Sequence, residues 1–257
     1  MFCTRPIIEQ NSTALPVQHD FGYDNLVVSG CSFTYNNSVT TACTWPYYLR
    51  ELGNFKKVYD CSLPGAGNYH ISHSLQWELG EGKLDPNNTL VVVMWSGNDR
   101  DDLIGTKDIL NDYPMSYYYF SSAVSLITGG SHQEAYVNTS ANIKSINTVK
   151  SHQSRAVENF LYRDSLKTWL DHRGYRSVFL EYIDRSLPNR TKDFEITPYL
   201  PPSYQKRLND ITSQCMDLYT FSLKNDLLFN DDFHPSDEGH IQWTKEILIP
   251  FLKSLSI

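Results

Sequence analysis

Leu90-Val91-Val92-Val93-Met94-Trp95, introduced by Thr89, is the strongest strand signal in the chain. Asn25–Ser29 is a second, shorter and mostly apolar run. Runs without polar alternation read as strands buried on both faces, as in a parallel sheet covered by helices. Lys57–Cys61 and Ser177–Tyr182 supply two more strands. Between them fall helical patterns. Trp45–Leu52 carries Pro46 in its first turn and ends at Gly53. Tyr69–Leu79 is stopped by Gly80, and residues 153–172 carry Val157, Phe160, Leu161, Trp169 and Leu170 as their main apolar positions. Another helix follows Pro201-Pro202 to about Phe221, and a last one covers Ser236–Leu255 with a kink expected at Pro250. Alternating strands and helices predict an α/β domain with a parallel sheet sandwiched between helices.

The 257 residues suit one large domain, 23–257, preceded by an extended polar arm over 1–22. Residues 101–149 have weak periodicity and read as an insert of small helices or a lid, because a structureless loop of that length is unusual. With 40% hydrophobic and 20% charged residues, there is apolar material for a full core. The net charge of −7 and the lack of a basic cluster argue against nucleic acid or an anionic membrane as partner. No apolar stretch reaches membrane-spanning length, and the first residues lack the apolar core of a secretory signal, so the chain reads as cytoplasmic. Five scattered cysteines without C-x-x-C spacing disfavour zinc and redox motifs.

Ligands of open parallel sheets sit at the carboxyl ends of the strands. Three motifs converge there. Ser32 follows the first strand in Gly30-Cys31-Ser32-Phe33-Thr34, Gly65 follows the second in Pro64-Gly65-Ala66-Gly67-Asn68, and Asn98 follows the third in Ser96-Gly97-Asn98-Asp99. Far along the chain stands Asp231-Asp232-Phe233-His234-Pro235. A carboxylate one turn before a histidine can fold back onto one imidazole nitrogen and leave the other to face a serine. Serine needs such a base to lose its proton as it attacks, and the resulting oxyanion needs preorganised donors. Each motif alone is an ordinary turn, cap or loop; their joint order is what points to catalysis.

These four blocks resemble those of the SGNH (GDSL-type) hydrolases. The resemblance spans about residues 25–250, leaving the middle insert uncovered, and implies a flavodoxin-like three-layer α/β/α sandwich with a mostly parallel central sheet. It implies Ser32 as nucleophile, His234 as base and Asp231 as its orienting partner, with Asp232 as an offset alternative. The oxyanion donors would be the backbone N–H groups of Ser32 and Gly65 and the side chain of Asn98, with Gly67 as the alternate register for the glycine. Cys31 stands where the family usually has Asp, and Ser96 where its third block begins with Gly. The implied activity is that of a serine esterase acting through an acyl-serine, without metal or cofactor. The expected partner is a small-molecule or glycan ester, with short acyl groups, acetyl on a carbohydrate above all, as substrate. Acyl transfer by the same residues, or a silent carbohydrate-binding or structural protein on this fold, are the alternatives.

Other polar residues read more plainly. His70 and His73 lie on one helical face but have no third ligand nearby, and read as partly exposed. His240 packs the last helix against the sheet, and Cys31 is a small buried residue. The run Tyr117-Tyr118-Tyr119 either lines a substrate cleft or packs an insert on the core.

Overall fold

The computed structural model describes residues 15–35, 44–63, 66–97, 101–105, 118–120, 123–128, 152–182, 200–212, 215–229 and 234–257. Four strands form a parallel sheet: β1 (Asn25–Ser29), β2 (Lys57–Asp60), β3 (Thr89–Trp95) and β7 (Arg176–Glu181). Their order is β2-β1-β3-β7. The order reverses between β1 and β3, which opens a crevice at the carboxyl ends of those two strands. Leu26, Val27 and Val28 of β1 and every residue from Leu90 to Trp95 are wholly buried, as the unbroken apolar runs require.

Helices cover both faces. On one side α1 (Trp45–Leu52) packs on α6 (Asp237–Trp243); on the other α2 (Asn68–Gly80) packs on α3 (His152–His172). The three-layer α/β/α architecture is therefore present, with the mostly parallel sheet at its centre. The described part of the amino-terminal segment runs over α1, where the N–H groups of Gln18 and His19 both donate to the Leu52 carbonyl.

Two expectations are corrected. Within 101–149 the described residues form strands, not small helices: β4 (Asp101–Gly105), β5 (Tyr118–Phe120) and β6 (Ala123–Thr128) make an antiparallel sheet ordered β4-β6-β5. Tyr117 lies outside the described residues. The helix expected to continue to Phe221 is two helices, α4 (Pro202–Ile211) and α5 (Leu218–Lys224). Asp217 starts the second by accepting the Thr220 N–H at 2.7 Å, a side-chain cap that ends continuity with the first. The last helix is interrupted by a π-helical turn over Thr244–Leu248 before α7 (Ile249–Ser254). Pro250 has no N–H to give the preceding turn, and the widened turn takes up that loss.

No helix among the described residues is long and apolar enough to cross a membrane.

Candidate active site

The turn bearing Ser32 is shaped by what cannot fit beside it. A Cβ on Gly30 would lie 2.1 Å from Thr34 Oγ1 and 3.0 Å from the Met94 carbonyl, so only glycine lets β1 leave the sheet here. The chain then doubles back, and the N–H groups of Thr34 and Tyr35 both donate to the Cys31 carbonyl at 2.9 Å. Cys31, Phe33 and Thr34 are buried, which leaves Ser32 as the half-exposed member of the turn. Cys31 is the small buried residue the sequence suggests, with no exposure at all.

His234 arrives from the other end of the chain. Its carbonyl accepts the Phe229 N–H at 2.8 Å, the Ser236 N–H donates to the Leu227 carbonyl at 2.8 Å, and Leu228 bridges Pro235. Ser236 then caps α6 by accepting the Gly239 N–H at 3.2 Å. The imidazole lies against the Phe33 ring, with centroids 4.9 Å apart, and Phe33 in turn packs on Tyr182 at 4.8 Å. This places His234 Nε2 at 2.8 Å from Ser32 Oγ, joining residues 202 positions apart in sequence.

His240 lies on α6 behind His234. It ties α6 to α1, its Nδ1 accepting the Trp45 N–H at 3.3 Å. Complete burial, with a smaller push from His234, holds its pKa down at about 3, so the ring is neutral in ordinary buffers. His70 is corrected. It is buried, and desolvation followed by its neighbour His73 lowers its pKa to about 4. Among the described residues, no cluster of three or more His, Cys, Asp or Glu could hold a metal ion.

The second and third motifs meet through side chains whose partners no local pattern reveals. Asn68, at the start of α2, accepts the Ser96 N–H at 2.8 Å and donates to the Ser96 carbonyl at 3.1 Å. Asp102 accepts the Gly67 N–H at 2.9 Å and the His70 N–H at 2.7 Å. Gly67 therefore has its N–H turned to a carboxylate, which removes it as the alternate oxyanion donor. Gly65, Asn98, Asp231 and Asp232 lie outside the described residues. The buried Arg163 pairs with the half-buried Glu181 at the end of β7, with the guanidinium 5.2 Å from the centroid of the Trp95 ring. The signals for Asn68 and Asp102 were a polar residue at a helix start and an acid just past a strand motif, neither of which names its partner.

No family model matches the chain, and no curated protein matches it in sequence. Solved structures do match in shape. TesA aligns over 90% of this chain and 99% of its own at a TM-score of 0.50 and 15% identity. A protein of Desulfitobacterium hafniense described as lipolytic and of the G-D-S-L family aligns over 86% and 96%, at 0.49 and 14%. An acetyl-xylooligosaccharide esterase of Geobacillus aligns over 93% and 97%, at 0.49 and 14%. At such identities the likeness speaks for the fold alone.

Proposed function

We propose that this chain is a serine esterase that cleaves carboxylic esters through an acyl-Ser32 intermediate. The observation that carries the reading is the 2.8 Å contact between Ser32 Oγ and His234 Nε2 at the crevice where the strand order reverses. His234 takes the hydroxyl proton as Oγ bonds to the ester carbon, and the carbonyl electrons move to oxygen. The Ser32 and Gly65 backbone N–H groups and the Asn98 amide receive that oxyanion. Collapse re-forms the carbonyl and expels the alcohol, which takes its proton from His234. Water then attacks the acyl-enzyme by the same route and releases the carboxylic acid. Asp231 orients the imidazole and balances its charge while it is protonated.

Several features support these roles. The Phe33 ring fixes one face of the His234 imidazole, so the base keeps its aim. His240, neutral and tied to the Trp45 N–H, adds no positive charge beside it. The substrate we assign is a short acyl ester, acetyl on a carbohydrate. Seventeen tyrosines suit a sugar, since each offers a flat face and a hydrogen-bonding edge. The test is a panel of acetylated sugars and aryl esters from acetyl to dodecanoyl, run on wild type and Ser32→Ala. We expect acetyl turnover that vanishes in the variant. Activity that survives Ser32→Ala contradicts the mechanism, and a preference for long chains contradicts the substrate class.

A further inference from the structure

The first turn of α2 grips a neighbouring chain segment at both ends. At the near end, the Asn68 side-chain amide pairs with the N–H and the carbonyl of Ser96. Its Nδ2 also donates to Asn159 Oδ1 at 2.5 Å, and Asn159 is held in turn by its bond to the Arg155 carbonyl. Two acceptors on one side and one donor on the other fix which way round the Asn68 amide lies. At the far end, Asp102 of β4 receives the N–H groups of Gly67 and His70. A glycine at the N-cap has no side chain with which to satisfy the free donors of the helix start, so α2 takes its cap from another strand.

Both ties land on residues 67–70, directly after the glycine-bearing segment, and they bracket the stretch from Ser96 to Asp102 that carries Asn98. Asn68 is also 1% exposed, and a buried amide is costly unless its bonds are all made.

We propose that Asn68 and Asp102 are positioning residues for oxyanion stabilisation. They join Gly67, Asn68 and His70, which follow Gly65 in sequence, to Ser96 and Asp102, which stand on either side of Asn98 in sequence. The inference rests on the esterase reading given above. Donors of this kind act because they are in place before charge develops, and an error of about 1 Å can cost about 10²-fold in rate.

The test uses the full chain as wild type, Asn68→Ala, Asp102→Asn and the double variant. Active sites are counted by stoichiometric fluorophosphonate titration, so that misfolded protein does not enter the rate. Three quantities are read: kcat per titrated site on an acetyl ester, KM, and affinity for a short alkylboronic acid. In that adduct a Ser32 Oγ–boron bond forms, the hydroxyl proton passes to His234, and the boron becomes a tetrahedral anion. We expect kcat to fall about 10–100-fold in Asn68→Ala and about 10-fold in Asp102→Asn, with boronate affinity falling in parallel and KM within about twofold. The double variant should lose less than the product of the two, because both act on one segment. Unchanged kcat per site and boronate affinity, with only thermal stability lowered, would overturn the proposal. Asp102→Asn keeps volume and one acceptor, so the test stands even if Asn68→Ala does not fold. A wild type without Ser32-dependent turnover would instead remove the esterase reading itself, and is told apart by the Ser32→Ala control.

Discussion

The two halves of the Ser32–His234 contact are built differently. The serine turn grows out of the most buried strands of the molecule, is pinned by Gly30 against Thr34 and Met94, and has Cys31, Phe33 and Thr34 beneath it. The histidine segment hangs on a short ladder, two backbone bonds flanking the Leu228–Pro235 bridge, beside a Phe229 that is 47% exposed. The hydroxyl is thus placed by the core, whereas the imidazole is placed by local bonds and by the Phe33 ring it leans on. Substitutions on the serine side should therefore cost stability and activity together. Those on the histidine side should cost activity with little loss of stability.

Phe33 belongs to both sides, so Phe33→Ala tests the joint itself. Loss of a buried ring costs about 3–5 kcal/mol, and turnover should fall as well because the imidazole loses its wall. Urea unfolding alongside ester kinetics reads both. Gly30→Ala comes next. Its Cβ meets backbone as well as the Thr34 side chain, so we expect a loss of about 1–3 kcal/mol and a marked drop in kcat. A Gly30→Ala variant with full activity would mean that the turn is less confined than the geometry states.

His240 sharpens the comparison through pH. Its folded pKa of about 3 lies below the ordinary value near 6.5, so below pH 6.5 the unfolded chain binds the proton and the folded chain does not. Folding stability contributed by neutral His240 is whole above 6.5 and is lost as pH falls toward 3, by about 1.4 kcal/mol per unit. His70 behaves alike down to about 4. Urea midpoints between pH 6 and 5 should thus fall more steeply for wild type than for His240→Gln; equal slopes would contradict the burial argument. The smallest effect is Ser236→Ala, which removes one cap bond at about 1 kcal/mol. It should disturb ester turnover more than its stability cost suggests, because the cap follows His234 by only two residues.

Much of this was legible from residues alone. The apolar runs at β1 and β3 announce a doubly covered parallel sheet, and the motifs at strand ends announce the crevice where Ser32 and His234 meet. The antiparallel strands β4 to β6 were not legible. β5 has three residues, and such short strands are specified by their partners more than by their own periodicity. The break between α4 and α5 was readable in principle from Asp217 standing three residues before Thr220. Asn68 and Asp102 were not, since each is defined by a partner about 30 positions away. His70 misled for a related reason: burial is a property of the packed neighbourhood of α2, β4 and α3, which helical spacing does not reveal.

The most direct test of the central claim is intact-mass and peptide mapping after reaction with a fluorophosphonate, comparing wild type, Ser32→Ala and His234→Ala. The 2.8 Å contact predicts one adduct, on Ser32, formed quickly in wild type, absent from Ser32→Ala and slowed by about 10²-fold or more in His234→Ala. An adduct on another residue, or a rate indifferent to His234, would contradict it.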